Sequence, residues 1–348
     1  MQSLIYGVTG YTGDLIARAA RQRGLQPILA GRNSASVSAL ARELGLQQRV
    51  FALDDRTALD QGLAGVGVVL HCAGPFVHTA EPMASACLRQ RVHYLDVTGE
   101  IAVFEALAAR DAEARRAGVM LLAGVGFDVV PSDCLALHLK LRLPSATRLA
   151  LGFQASGGLS HGTATTVAEN LGQGGLVRRG GVITRVPAAW KTREIDFGEG
   201  PRGAVTIPWG DVATAYHSTG IPDIEVYLAL PARARTWLRL SRSLEPLLRL
   251  GVVRRFVKGR IKPGGPSAAQ RARGRSLLWG EASDAVGNRV VSRLRGPEGY
   301  DLTVATALLA LQRVLAGQAP VGYQTPARAY GADFVLEVPS VERHDDPV

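Results

Sequence analysis

Leu4-Ile5-Tyr6-Gly7-Val8-Thr9-Gly10-Tyr11-Thr12-Gly13, followed by Asp14-Leu15-Ile16-Ala17-Arg18-Ala19-Ala20, reads as a short apolar strand, a tight turn and the opening of an amphipathic helix. Without a Cβ, the backbone at Gly7, Gly10 and Gly13 can turn sharply and let a ligand approach closely. The amides at the helix start carry the positive end of the helix dipole, a seat for a pyrophosphate. The spacing is G-x-x-G-x-x-G, because Val8 stands where the commoner G-x-G-x-x-G has its first glycine. Between an apolar strand and a helix, the stretch predicts a dinucleotide site in which Thr9, Tyr11 and Thr12 join the three glycines. The competing reading is a purely structural turn.

Downstream, residues 26–30 read as a second strand ending in Gly31-Arg32-Asn33-Ser34. Roughly 20 residues past the glycine turn, an acidic side chain would hold the ribose 2′-hydroxyl of NAD. Arg32 stands there instead, with Asn33 and Ser34 beside it. A guanidinium forks onto a phosphate, so the position predicts NADP(H); otherwise Ser34 merely caps the next helix and Arg32 is solvated. A third strand over 49–54 puts Asp54 where such folds meet the adenine. A fourth, 66–73, is continuously apolar, as a doubly covered parallel strand should be. It runs into Ala73-Gly74-Pro75-Phe76, expected to border the cofactor because ligands lie beyond the carboxyl ends of such strands.

A helix over 81–89, a strand over 93–96, a helix over 102–117 and a strand over 119–123 complete an alternation that predicts a doubly wound parallel sheet, the Rossmann architecture, over residues 1–133. The last strand opens into Gly126-Phe127-Asp128, with Ser132 or Asp133 expected to cap a helix over 134–141. Asp128 is the most exposed candidate to face substrate, beside Phe127; equally, it could bond neighbouring amides in its turn.

After residue 144 the pattern changes. Short alternating strands predict a mixed α+β domain over 134–299, for substrate or oligomerisation. Its loop 157–166 contains Ser160, His161 and Thr163. Strands near 276–285 and 288–296 read as a hairpin. A helix over about 300–317 is read as returning to the first domain, and residues 340–348 as a polar tail.

Hydrophobic residues make up 47% of the 348, enough for a full core over two domains. No secretory leader is expected, since the first residues read as a strand, and the apolar runs at 66–73 and 119–125 are too short to span a membrane. Cys72, Cys87 and Cys134 show no C-x-x-C spacing, which argues for a reducing compartment and against a disulfide or zinc framework. A cytoplasmic protein without a metal is expected, peripheral membrane contact aside. The charge of +10 is uneven: residues 233–275 carry thirteen basic side chains and a single acid, Glu245. Segment 232–262 reads as a basic amphipathic helix, able to meet an anionic membrane or an acidic partner. Its plainer reading is a helix packed on the second domain. Few aromatics and no recognised motif accompany the charge, so nucleic acid is not expected as a partner.

Taken together, Gly7-Val8-Thr9-Gly10-Tyr11-Thr12-Gly13, Ala30-Gly31-Arg32-Asn33, Cys72-Ala73-Gly74-Pro75-Phe76, Tyr94-Leu95-Asp96-Val97-Thr98-Gly99-Glu100 and Gly124-Val125-Gly126-Phe127-Asp128-Val129-Val130-Pro131-Ser132-Asp133 resemble the saccharopine dehydrogenase-like oxidoreductases, most nearly their trans-acting enoyl reductase branch. The resemblance implies a Rossmann domain, NADP(H), hydride transfer and an unsaturated acyl or lipid-type substrate, free or carried on another protein. A homodimer is compatible with it. It brings no catalytic residue with it. From position alone Asp128, Glu100 and His161 are candidates to polarise or protonate substrate, and Phe127, Ser160 and Thr163 to contact it. No Tyr has a Lys four residues on, which sets aside the short-chain dehydrogenases. A saccharopine-type amino-acid dehydrogenase and a non-catalytic NADP-binding protein at a membrane surface are the alternatives.

Overall fold

The computed structural model describes residues 1–155, 160–169, 172–240, 243, 245, 250–261 and 264–347. The chain divides into two compact units: Met1–Asp128 with Tyr300–Ala329, and Val129–Gly299 with Tyr330–Val348.

The first unit opens with β1 (Ser3–Tyr6), α1 (Tyr11–Gln22), β2 (Ile28–Gly31), α2 (Ser34–Leu44), β3 (Gln48–Val50) and α3 (Arg56–Gly62). It continues with β4 (Val68–His71), α4 (Phe76–Gln90), β5 (His93–Asp96), α5 (Ile101–Ala108), α6 (Asp111–Ala117) and β6 (Met120–Leu122). From the later part of the chain this unit takes a long helix, Gly299–Leu315, and a short strand, Gly322–Gln324. That strand closes a seven-stranded sheet whose pairings are all parallel. In sequence order, β3, β2 and β1 lie on one side of it, and β4, β5, β6 and the late strand on the other. Strand order therefore reverses between β1 and β4, which pair with Tyr6 opposite His71. Every residue of β1, β2 and β4 is buried, as expected for strands covered by helices on both faces.

Three boundaries differ from the sequence reading. The helix expected over 102–117 is two helices, α5 and α6. The break frees Asp111 to accept from the Tyr323 amide of the late strand at 2.8 Å. α4 begins at Phe76, five residues before the expected start, because a distant carboxylate satisfies its first amides. β3 stops at Val50, leaving Asp54 exposed in the loop that follows.

The second unit starts with α7 (Val130–Arg142), β7 (Arg148–Ala155), α8 (His161–Glu169), β8 (Gly175–Arg179), β9 (Val182–Val186), β10 (Thr192–Asp196) and β11 (Pro201–Thr206). Then come α9 (Asp211–Thr219), β12 (Asp223–Ala229), α10 (Ala232–Leu240), α11 (Gly251–Lys258), α12 (Ala268–Arg273), β13 (Arg275–Ser283) and β14 (Arg289–Pro297). The helix of the first unit is α13, its late strand β15, and the final strand of the second unit is β16 (Glu342–Asp345). The sheet of this unit is mixed: β12 and β7 run parallel, while β7–β13, β13–β14 and β14–β16 are antiparallel. α7 lies against β13 and β14 so closely that a Cβ on Gly280 would sit 2.6 Å from Leu139. Ile195, Phe197, Ala204, Tyr227, Leu277, Trp279 and Val291 form a core on the other face.

α7 begins four residues before the expected 134. Ser132 donates to the Val129 carbonyl, and Asp133 is buried and accepts from the Ser218 hydroxyl at 2.5 Å, so neither caps the helix from outside. Residues 340–348, read as a polar tail, contain β16; the Ser292 hydroxyl donates to Asp345 at 2.6 Å and anchors it. Much of segment 232–262 forms α10 and α11; its residues 241–242, 244, 246–249 and 262 lie outside the described residues, as do 157–159 of the Ser160 loop.

Candidate functional site

The first unit concentrates its candidate residues at the carboxyl ends of its strands. Gly7 ends β1 with φ +90°, and a Cβ there would meet the Ala73 amide nitrogen at 2.7 Å. The loops after β1 and β4 therefore touch at the point where strand order reverses, the place where open α/β sheets bind ligands. Gly13 serves the same packing from the helix side: its Cβ would fall 2.3 Å from the Gly7 carbonyl oxygen. Gly10 differs. A Cβ there would lie 3.4 Å from the Gly7 carbonyl oxygen, an ordinary contact, and Gly10 is exposed together with Thr9, so the fold itself does not require a glycine for space at this position.

Two helices begin at this edge, α1 after β1 and α4 after β4. No side chain caps α1, whose N-cap is Gly10. The start of α4 is already satisfied: Glu100 accepts from the Phe76 and Val77 amides at 2.9 and 2.8 Å through its two carboxylate oxygens. The Thr98 hydroxyl in turn accepts from the Glu100 amide at 3.1 Å. One helix dipole is met by a carboxylate of the chain itself, whereas the start of α1 has no side-chain cap and is the one left open to an anion. Glu100 was a candidate proton donor from its position in the sequence. It is buried, and both of its carboxylate oxygens accept from the amides that open α4.

At the end of β2, Arg32 is exposed and makes no hydrogen bond or ion pair to a described residue. Asn33, not Ser34, caps α2: its side-chain oxygen accepts from the Ser36 amide at 3.0 Å. Arg32 and Asp54 both lie close enough to act on the Tyr6 hydroxyl, which donates to the Phe51 carbonyl and whose pKa burial pushes up to about 12. This edge thus offers an open guanidinium next to the cap of α2. That is the chemistry a 2′-phosphate needs.

On the other side of the reversal, the end of β5 and the loop after β6 each carry a desolvated carboxyl, Asp96 and Asp128. Asp96 is buried, accepting from the Tyr94 hydroxyl at 2.6 Å, the Gly124 amide at 2.8 Å and the Thr98 amide at 3.1 Å. Burial outweighs these donors and raises its pKa to about 6. Tyr94 and Asp96 sit two residues apart on one strand and so share a face; that spacing was the available signal, and the sequence reading did not use it. Asp128 is half-buried and lies against Gly99, where a Cβ would be 2.7 Å from its Oδ2. Its surroundings also push its pKa to about 6 through desolvation. α13 holds this loop: Thr303 accepts from the Phe127 amide at 3.0 Å, and the Thr306 hydroxyl donates to the Val125 carbonyl at 2.8 Å. The Tyr300 ring of the same helix meets Tyr11 edge to face, with centroids 5.0 Å apart.

His71 and Cys72 follow one another at the end of β4, but neither is disposed for chemistry. His71 is fully buried among Tyr6, Phe76 and Tyr94, and desolvation lowers its pKa to about 3, which keeps it neutral. Burial raises the Cys72 thiol well above its usual range, which removes the thiolate a nucleophile would need. No cluster of three or more His, Cys, Asp or Glu side chains able to hold a metal ion occurs among the described residues.

Residues 3–122 match the family model of the saccharopine dehydrogenase NADP binding domain. The cofactor of this NADP-binding domain is NADP(H), and the residues present fit it: a Cβ-free cradle at Gly7, Gly10 and Gly13, an uncapped α1 and an open Arg32. A trans-acting enoyl reductase of Mycobacterium leprae is 29% identical over 148 residues, covering 40% of this chain and 35% of that protein. A saccharopine dehydrogenase-like oxidoreductase of Rattus norvegicus is 24% identical over 159 residues, covering 39% and 37%. These alignments thus span little more than a third of the relatives' length. The structure is similar in fold to the L-glutamate-forming saccharopine dehydrogenase of Saccharomyces cerevisiae, with a TM-score of 0.68 at 11% identity over 99% of this chain and 100% of that one.

Ser160, His161 and Thr163 belong to the second unit. Ser160 is buried and opens α8: its hydroxyl accepts from the Thr163 amide at 3.3 Å and lies 3.1 Å from the Thr163 hydroxyl. His161 is exposed, and its amide donates to the Gly264 carbonyl at 2.8 Å.

Proposed function

We propose that this chain is an NADPH-dependent oxidoreductase that reduces an unsaturated acyl or lipid-type substrate, with Asp128 as the proton donor. The observation that carries the reading is the Asp128 carboxyl itself: half-exposed, beside the β5 loop of an NADP-binding domain, with a pKa raised to about 6 by desolvation. Strongly shifted groups at a ligand edge are functional candidates, and an acid of this strength keeps a working fraction of its protons near neutral pH. The family resemblance and the names of the mycobacterial relatives support the acyl class.

NADPH supplies a hydride when bound. Reduction of an α,β-unsaturated thioester takes that hydride at the β carbon and a proton at the α carbon, leaving NADP and the saturated thioester. In this reading Asp128 holds the proton, Thr303 fixes the loop that carries Asp128, and Glu100 fixes the loop bordering the cofactor from the β4 side. Arg32 binds the 2′-phosphate, and the amides of α1 hold the pyrophosphate. Phe127 lines the substrate beside Asp128.

The test is loss of absorbance at 340 nm with a panel of enoyl thioesters of different chain length, imines formed from amino and keto acids, and simple ketones. Turnover confined to enoyl thioesters supports the assignment. Turnover of the imines alone makes the protein an amino-acid dehydrogenase. Binding of NADPH with no turnover across the panel makes it a non-catalytic nucleotide-binding protein.

A further inference from the structure

Exposed apolar side chains occur at several places on the second unit, Leu141, Val182 and Val286 among them, but four fall on two helices of one strongly basic segment. On α10, Trp237 and Leu240 are 70% and 62% exposed and follow Arg233 at helical spacing, so the three share a stripe. On α11, Val252 and Phe256 are 68% and 59% exposed and lie one turn apart. The more buried pair of α11, Val253 and Val257, is set one position further round, and α11 packs on α8. The outward pair is therefore surplus to the packing of the helix.

The charge is as one-sided as the exposure. Residues 233–275 hold thirteen basic side chains and one acid, a net of +12 where the whole chain nets +10. Everything outside this stretch is thus slightly acidic, and the basic surplus belongs wholly to it. Its one acid, Glu245, is half-buried near Gly174. The Arg260 guanidinium stacks over the Phe256 ring, 4.2 Å from its centroid, so a positive charge sits directly beside an exposed apolar side chain.

We propose that α10 and α11 form a docking surface for an anionic lipid bilayer, on which Trp237, Leu240, Val252 and Phe256 enter the boundary between headgroups and acyl chains and the arginines meet lipid phosphates. A bilayer offers negative charge and apolar depth on the same side, which is the pairing this surface presents. Exposed Trp flanked by Arg suits that interface. No helix among the described residues is long and apolar enough to cross a membrane, so the contact is with the surface. This docking is independent of the reaction catalysed, and its failure would leave the reductase reading untouched.

The experiment is flotation of the full chain with vesicles of phosphatidylcholine alone or with phosphatidylglycerol added, comparing wild type, the Arg233→Glu/Arg255→Glu double variant and the Trp237→Ala/Phe256→Ala double variant. None of the four residues belongs to the cofactor site, so NADPH affinity serves as the folding control. Wild type is expected to float with the anionic vesicles only and to be released as salt is raised. The charge-reversed variant should bind at least about thirtyfold more weakly, and the apolar variant should also lose binding. Equal flotation of all three proteins would overturn the proposal. So would a wild type that ignores anionic vesicles but binds an acidic acyl carrier protein, or that buries the surface in a dimer in solution.

Discussion

Gly7 and Ala73 meet where the strand order of the first unit reverses: a Cβ added to Gly7 would lie 2.7 Å from the Ala73 amide nitrogen. The loops after β1 and β4 can close on each other because one of them has no side chain at the contact. The remaining features of the cofactor edge, an uncapped α1 and a carboxylate-capped α4, are arranged around that contact.

The glycines of the turn should separate into two classes. Gly13→Ala puts a Cβ 2.3 Å from the Gly7 carbonyl oxygen and should destabilise the protein by about 1–3 kcal/mol as well as weaken NADPH binding. Gly10→Ala meets nothing closer than 3.4 Å. It should melt like wild type and still lose NADPH affinity, because the space it fills belongs to the cofactor. Thermal melts with and without NADPH check both; equal melting and equal affinity for the two variants would break the distinction.

Arg32→Ala should weaken NADPH by roughly tenfold to a hundredfold, the value of a charge-assisted pair. NADH binding should hardly change, so the ratio of the two affinities should collapse. Fluorescence titration of both nucleotides measures it. An unchanged ratio would place the 2′-phosphate elsewhere.

Glu100→Ala leaves the Phe76 and Val77 amides without their acceptor at the start of α4 and should cost about 1–3 kcal/mol. Glu100→Gln keeps one good acceptor and should recover part of that loss. If Glu100 also donated a proton, Glu100→Gln would recover stability without recovering turnover, so comparing melting with kcat for the two variants decides whether its role is positioning alone.

Most of the first unit was legible because its rules are local. Apolar strands, the glycine turn and alternation with helices predict the parallel sheet, and the sheet is there. The parts that were not legible rest on partners far away in the chain. α4 starts at Phe76 because Glu100, more than twenty residues later, accepts from its first amides, and no pattern near Phe76 announces that. The split of 102–117 depends on Asp111 reaching Tyr323, and β16 owes its place to pairing with β14 rather than to an apolar pattern of its own. Asp128 stood out as a residue; its raised pKa did not, since desolvation comes from the packing of Gly99 and the neighbouring loops.

The reductase proposal is tested most directly by the pH dependence of single-turnover hydride transfer in wild type and Asp128→Asn, with NADPH and an enoyl thioester from pH 5 to 8. Desolvation raises the Asp128 pKa from 3.8 to about 6, so the acid form required for proton donation is present below that value and is lost as pH rises through it. The wild-type rate is predicted to fall about tenfold per unit above pH 6, following the protonated fraction. Asp128→Asn should bind NADPH normally, be slower by about a hundredfold or more and lack that decline. A variant with the wild-type rate and the wild-type pH profile would contradict the assignment.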